Sequence, residues 1–173
     1  MGTFYNKITE KQAALIRESK IFFVGSTAMS APEGSAHPDH AGPVNISPKG
    51  GVSLEIIDDN TVAFLDFPGS GNETAKHAMA GGDLTVMVMS HGADDAAIVR
   101  LYGKARVLKI DKSPLAQRLV ETSTSKIFLR PRQIIEVSIY KTQTSCGYGV
   151  PILEFVRDRD NDAKGRRFKD PKP

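Results

Sequence analysis

Between residues 21 and 144 the sequence is a succession of short runs rich in β-branched and aromatic residues, each stopped by glycine, proline, aspartate or asparagine. This punctuation constrains the fold more than any other feature. Side chains branched at Cβ pack well on a pleated surface, and the turn residues supply the backbone conformations that tight reversals need. The strand-like runs are 21–28, 44–46, 52–57, 61–67, 84–89, 97–110 and 133–144, with a short apolar segment at 152–156. Asp58-Asp59-Asn60 joins two of them as a hairpin. Only three helices fit between them. Thr9-Glu10-Lys11-Gln12 is a capping box opening a helix to about Ser19. Asn72 caps a helix over 72–80 that Gly81-Gly82 closes, and Ser113-Pro114 opens one running to about Thr122. Hairpin-joined strands with helices set between others predict an α+β antiparallel barrel or sandwich, not a doubly wound parallel sheet.

The 173 residues, with 40% hydrophobic and 25% charged, suit one domain with its own core. The net charge of +3 suggests nucleic acid until it is located. Residues 157–173 hold seven basic and four acidic side chains, so 1–156 is neutral. The folded domain, 1–156, has no surplus to offer phosphate backbones, and 157–173 is expected to be a charged, mobile tail. A single cysteine, Cys146, excludes an intramolecular disulfide and any multi-cysteine zinc site, and favours a reducing, cytoplasmic compartment. No apolar run approaches the ~20 residues of a membrane span, and the polar start lacks a signal-peptide core.

Three stretches could carry chemistry. In 68–74, Pro-Gly-Ser-Gly-Asn-Glu-Thr, glycines allow a ligand close to the backbone, Ser70, Asn72 and Thr74 supply polar groups, and Lys76 lies in the same first turn of the helix. That composition suits a phosphate; a glycine turn before an ordinary helix is the plain alternative. In 45–51, Asn45, Ser47, Pro48 and Lys49 bring an amide, a hydroxyl and an ammonium to a strand end, where they could meet the edge of a heterocycle or simply be solvated. In 144–151, Cys146, Gly147 and Tyr148 crowd the end of the long strand. No base lies near the thiol in sequence, so lining a pocket, or simple packing, suits it better than nucleophilic catalysis. His37 and His40 sit in a proline-rich loop without metal-site spacing, and His77 and His91 have no evident partner. The run Asp158-Arg159-Asp160-Asn161-Asp162 lacks the glycine and terminal glutamate of a calcium loop. No catalytic side chain and no metal site is assigned.

FFVGSTA, VNISPKG, FLDFPGSGNETAKH, VRLYGKARVL and QTSCGYGVP occur in one order over roughly residues 5–156. Together they resemble the FMN-binding split-barrel family, the pyridoxamine 5′-phosphate oxidase-like proteins. The resemblance implies a six-stranded antiparallel split barrel with short flanking helices, a homodimer, and FMN in a groove between subunits. By position, Asn45, Ser47, Pro48 and Lys49 would border the flavin ring or ribityl chain. Ser70, Asn72, Thr74 and Lys76 would hold the phosphate, and Asp66 would lie between the two groups. Cys146, Gly147 and Tyr148 would reach the pocket from the partner subunit. The implied activity is an oxidoreductase passing hydride at flavin N5 to or from a small-molecule substrate, with residues 29–43 as a lid. A deazaflavin in the same groove, or a non-catalytic flavin or haem carrier using one of the histidines, are the alternatives. Pyridoxamine phosphate oxidases carry a tryptophan-containing C-terminal signature, and this chain has no tryptophan. Oxidation of the B6 vitamer is therefore not expected.

Overall fold

The computed structural model describes residues 2–28, 44–69, 71–123 and 130–158; the expected lid at 29–43 and the tail from residue 159 on lie outside the described residues. The elements in chain order are β1 (Thr3–Tyr5), α1 (Glu10–Glu18), β2 (Ile21–Thr27), β3 (Val44–Gly50), β4 (Glu55–Asp58) and β5 (Thr61–Asp66). There follow α2 (Glu73–Met79), β6 (Asp83–Met89), β7 (Ala97–Leu108), α3 (Ala116–Thr122) and β8 (Gln133–Cys146). The strands form one sheet in the order β3-β2-β6-β7-β8-β5-β4, with β1 added to β8, and every pairing is antiparallel.

The α+β antiparallel architecture is as expected, with eight strands among the described residues where six were implied. β1 gave no sequence signal: its three residues are all exposed, too few to show an alternation. β3 runs on through Pro48 to Gly50 instead of stopping at Ile46. Among the described residues it is an edge strand paired only with β2, and an edge tolerates the loss of the donor that proline lacks.

β7 and β8, of 12 and 14 residues, pair along nearly their whole length, with a register shift between Tyr102 and Gly103. Gly103 packs there against the backbone of Ser138, where a Cβ would collide with the carbonyl. The main core joins Phe22 and Val24 of β2, Val62 and Phe64 of β5, Val86 and Val88 of β6, and Val99 and Leu101 of β7 to Ile135 and Val137 of β8. A smaller cluster of Ala63, Leu65, Leu119 and Ile134 lies where α3 covers the other face of β5. β5 is thus buried on both faces, which explains why its run reads as continuously apolar.

The helix ends follow local chemistry. Gln12 N–H donates to Thr9 Oγ1 at 3.3 Å and Thr9 N–H to Gln12 Oε1 at 3.0 Å, completing the capping box. The buried Gln12 side chain also donates to Thr144 Oγ1 at 2.9 Å and accepts from Thr142 Oγ1 at 3.0 Å, tying α1 to β8. α3 begins later than Ser113-Pro114 suggested, and Ser113 Oγ accepts from the Leu115 N–H at 3.2 Å. After α2, Gly81 has φ +77°, a conformation that glycine adopts without strain.

Candidate functional site

β3 turns Asn45, Ser47 and Lys49 toward the body of the protein and leaves Val44 and Ile46 exposed, Ile46 also bordering the cleft that forms there. These inward groups meet the end of β5, the turn before α2 and the residue before β8 around a cleft of about 270 Å³. At its inner wall is Asp66, the last residue of β5, paired in register with Gln133. The carboxylate is buried and has three donors. Arg132 Nη2 donates to Oδ2 at 2.7 Å, Gln133 Nε2 to the same oxygen at 2.8 Å, and Lys49 Nζ to Oδ1 at 3.3 Å. Burial opposes ionisation, but the bonds from Arg132 and Gln133 and the charges of Lys49 and Arg132 outweigh it, holding Asp66 below the ordinary carboxylate range.

The same groups fasten the turn before α2. Arg132 Nη2 donates to the Gly71 carbonyl at 3.3 Å, and Gln133 Nε2 donates to Asn72 Oδ1 at 2.8 Å. Asn72 occupies the N-cap position as expected, yet makes no side-chain capping bond; its amide oxygen is engaged with β8 instead. Thr74 is buried and accepts from Asn45 Nδ2 at 3.4 Å, and Asn45 also donates to Ser47 Oγ at 3.1 Å. Beneath them, buried Ser26 and His77 Nδ1 lie 3.0 Å apart.

The cleft therefore unites two stretches that the sequence kept separate: Ser47, Pro48 and Lys49 from one, Asn72 and Thr74 from the other, with Asp66 between. Asn45 supports Ser47 and Thr74 from behind. Ser70 lies outside the described residues. Lys76 is exposed and not among the lining residues. Cys146, Gly147 and Tyr148 lie at or beyond the far end of β8 from Arg132, with Cys146 and Tyr148 exposed and Gly147 packed against Ala97. Of the histidines, His37 and His40 fall outside the described residues, His77 is buried, and His91 is half-buried in the β6–β7 connection. Among the described residues no group of three or more side chains could hold a metal ion, and no helix is long and apolar enough to cross a membrane.

Sequence reasoning missed Arg132, Gln133 and Glu73. Arg132 and Gln133 come into play only through the pairing of β5 with β8, and the one local trace is an Arg-Pro-Arg before a long strand. Arg132 fits the cleft to an anion. Its Nε is buried without a hydrogen-bond partner among the described residues, and Lys49 stands as a second cation on the same cleft. A guanidinium with a spare N–H, an ammonium and the Thr74 hydroxyl are the donor set a phosphate monoester requires.

No protein-family model matches the chain. It is 31% identical over 164 residues to the pyridoxamine 5′-phosphate oxidase family protein ustO of Aspergillus flavus, a match covering 94% of this chain. The chain spans 61% of that relative's length. Among solved structures it is similar to an FMN-binding protein from Syntrophomonas wolfei, with TM-score 0.56, 17% identity, and coverage of 79% of this chain and 85% of the other. A provisionally assigned pyridoxamine 5′-phosphate oxidase from Lactobacillus delbrueckii gives TM-score 0.54 and 15% identity, covering 80% and 94%. These structural likenesses bear on the fold.

Proposed function

Because the chain is a split-barrel protein of the pyridoxamine 5′-phosphate oxidase-like type, we propose that it binds FMN and works as a flavin-dependent oxidoreductase on a small-molecule substrate. The observation that carries this reading is the convergence of Lys49 and Arg132 on one cleft, with Arg132 Nε buried and unpartnered among the described residues. Arg132 and Thr74 would hold the phosphate, and Lys49, Ser47 and Pro48 would border the ribityl chain and ring. When bound, the flavin supplies the redox chemistry, exchanging a hydride at N5 with the substrate.

The protein's own contribution is binding, orientation and charge. Asp66 sets the direction of both cations before any ligand arrives, which lowers the ordering cost of binding. Gln133 holds Asn72, and with it the turn, against β8. The cleft is open on the side of β3, where Val44 and Ile46 are 62% and 70% exposed. Tyr148, Ile152 and Phe155 are also exposed. Such apolar exposure on an edge strand supports a homodimer in which a second copy covers β3 and closes the groove. The free, exposed thiol of Cys146 suits a reducing, cytoplasmic setting.

The test is a visible spectrum of the purified protein followed by titration with FMN and with riboflavin, read by fluorescence. One FMN per chain is expected to be quenched, with riboflavin binding far more weakly for want of the phosphate. Arg132→Ala and Lys49→Ala should each weaken FMN binding by about tenfold or more, the scale of a hydrogen bond to a charged group. A colourless protein that ignores FMN overturns the proposal.

A further inference from the structure

The cleft carries more negative charge than an anion site needs. Its charged lining residues are Lys49, Asp66, Glu73 and Arg132, and their formal charges cancel. The two carboxylates are placed differently. Asp66 is buried and committed to its three donors. Glu73, the first residue of α2, is half-buried in the wall of the cleft, and its carboxylate is folded back over Gly71. A Cβ built at Gly71 would run into both of its oxygens, so this pose uses the space that glycine leaves. The carbonyl of that same Gly71 is the one held by Arg132. The Glu73 carboxylate therefore lies over the turn whose carbonyl Arg132 holds, in the wall of the cleft, with no ion pair to Lys49 or Arg132 within 4.0 Å among the described residues.

Resting on the FMN reading above, we propose that Glu73 is the specificity-determining residue of the cleft: an internal anion that a phosphate dianion displaces and a monoanion does not. The reason is a charge count. With Glu73 swung aside, Lys49, Arg132 and Asp66 leave one net positive charge. A monoanion entering there replaces one negative charge by another and gains little. A phosphate monoester brings a second charge, and only that second charge is a net Coulombic gain at short range. Glu73 thus excludes abundant small monoanions, at the cost of some affinity for the intended ligand.

The experiment compares the wild-type chain with Glu73→Gln, and with Glu18→Gln as a control that changes net charge equally on the exposed end of α1. FMN affinity is read by fluorescence quenching, and thermal stabilisation by inorganic phosphate and by acetate is read in the absence of flavin. Glu73→Gln should bind FMN about tenfold more tightly. It should also gain stabilisation by acetate that the wild type lacks, while Glu18→Gln behaves as wild type. FMN affinity that is unchanged or weaker in Glu73→Gln overturns the inference, as does an equal gain in Glu18→Gln. A wild-type chain that ignores FMN but is stabilised by phosphate, with selectivity over acetate lost in Glu73→Gln, would remove the flavin and keep the role of Glu73. No stabilisation by phosphate in either form overturns the role itself.

Discussion

β2 and β3 are neighbouring strands of seven residues, paired residue for residue, and they turn opposite kinds of side chain to the same face. Directly paired residues share a face, so Phe22 lies beside Lys49, Val24 beside Ser47 and Ser26 beside Asn45. β2 sits between β3 and β6, and Phe22 and Val24 are fully buried in the main core. β3 is at the edge of the sheet, where its inward groups are polar and half-buried and its outward groups are apolar and exposed. One strand spends its inner face on stability. The other gives that face to a cleft, and its polar groups then need partners, two of them from other elements. Thr74 meets Asn45, and Asp66 meets Lys49.

The largest break of this contrast is on the β2 side. Phe22 meets Phe64 edge-on at 5.2 Å between ring centroids. Phe22→Ala is expected to lower stability by about 3–5 kcal/mol, the range for an aromatic core truncation, checked by urea unfolding. The next effect concerns the partner that the β3 side requires. Asp66 is held ionised by Arg132, Gln133 and Lys49, so its contribution is complete above the ordinary carboxylate range. It is lost as pH falls through the lowered native value. Asp66→Asn should therefore cost on the order of 1–3 kcal/mol near neutrality and flatten the acid limb of the stability profile below about pH 4. An unchanged acid limb would mean that other carboxylates govern it. The smallest change in the folded monomer is Ile46→Ser, on the exposed side of β3, within about 0.5 kcal/mol. If β3 is covered by a second copy, sedimentation should nonetheless show that Ile46→Ser dissociates the dimer at concentrations where the wild type remains associated. A variant as dimeric as the wild type would place the interface elsewhere.

Much of the fold was legible because its signals are local. Turn residues and β-branched runs marked most of the strands, the Thr9–Gln12 box marked α1, and Gly81 marked the end of α2. β1 was not legible, because three exposed residues carry no periodicity, and neither was the extension of β3 through Pro48, whose tolerance depends on lying at an edge. Of the site, Ser47, Lys49, Asn72 and Thr74 were recognisable from residue type and position, but as separate stretches, and Asp66 only through the family resemblance. Glu73 stands between Asn72 and Thr74 in the sequence, but its place in the wall of the cleft was not legible there.

What the sequence by itself determined is most of the elements, an α+β antiparallel class, and a short roll of polar residues at strand ends and turns. The tertiary structure decided the charge arrangement. Lys49 and Asp66 are 17 positions apart and Asp66 and Arg132 are 66 apart, so no local pattern couples them. Sheet pairing does: the register of β5 on β8 sets Asp66 against Gln133, next to Arg132, and the edge position of β3 directs Lys49 inward to the same carboxylate. Strand propensity and turn chemistry act over a few residues, whereas a Coulomb interaction between side chains distant in sequence exists only once the sheet has brought them together.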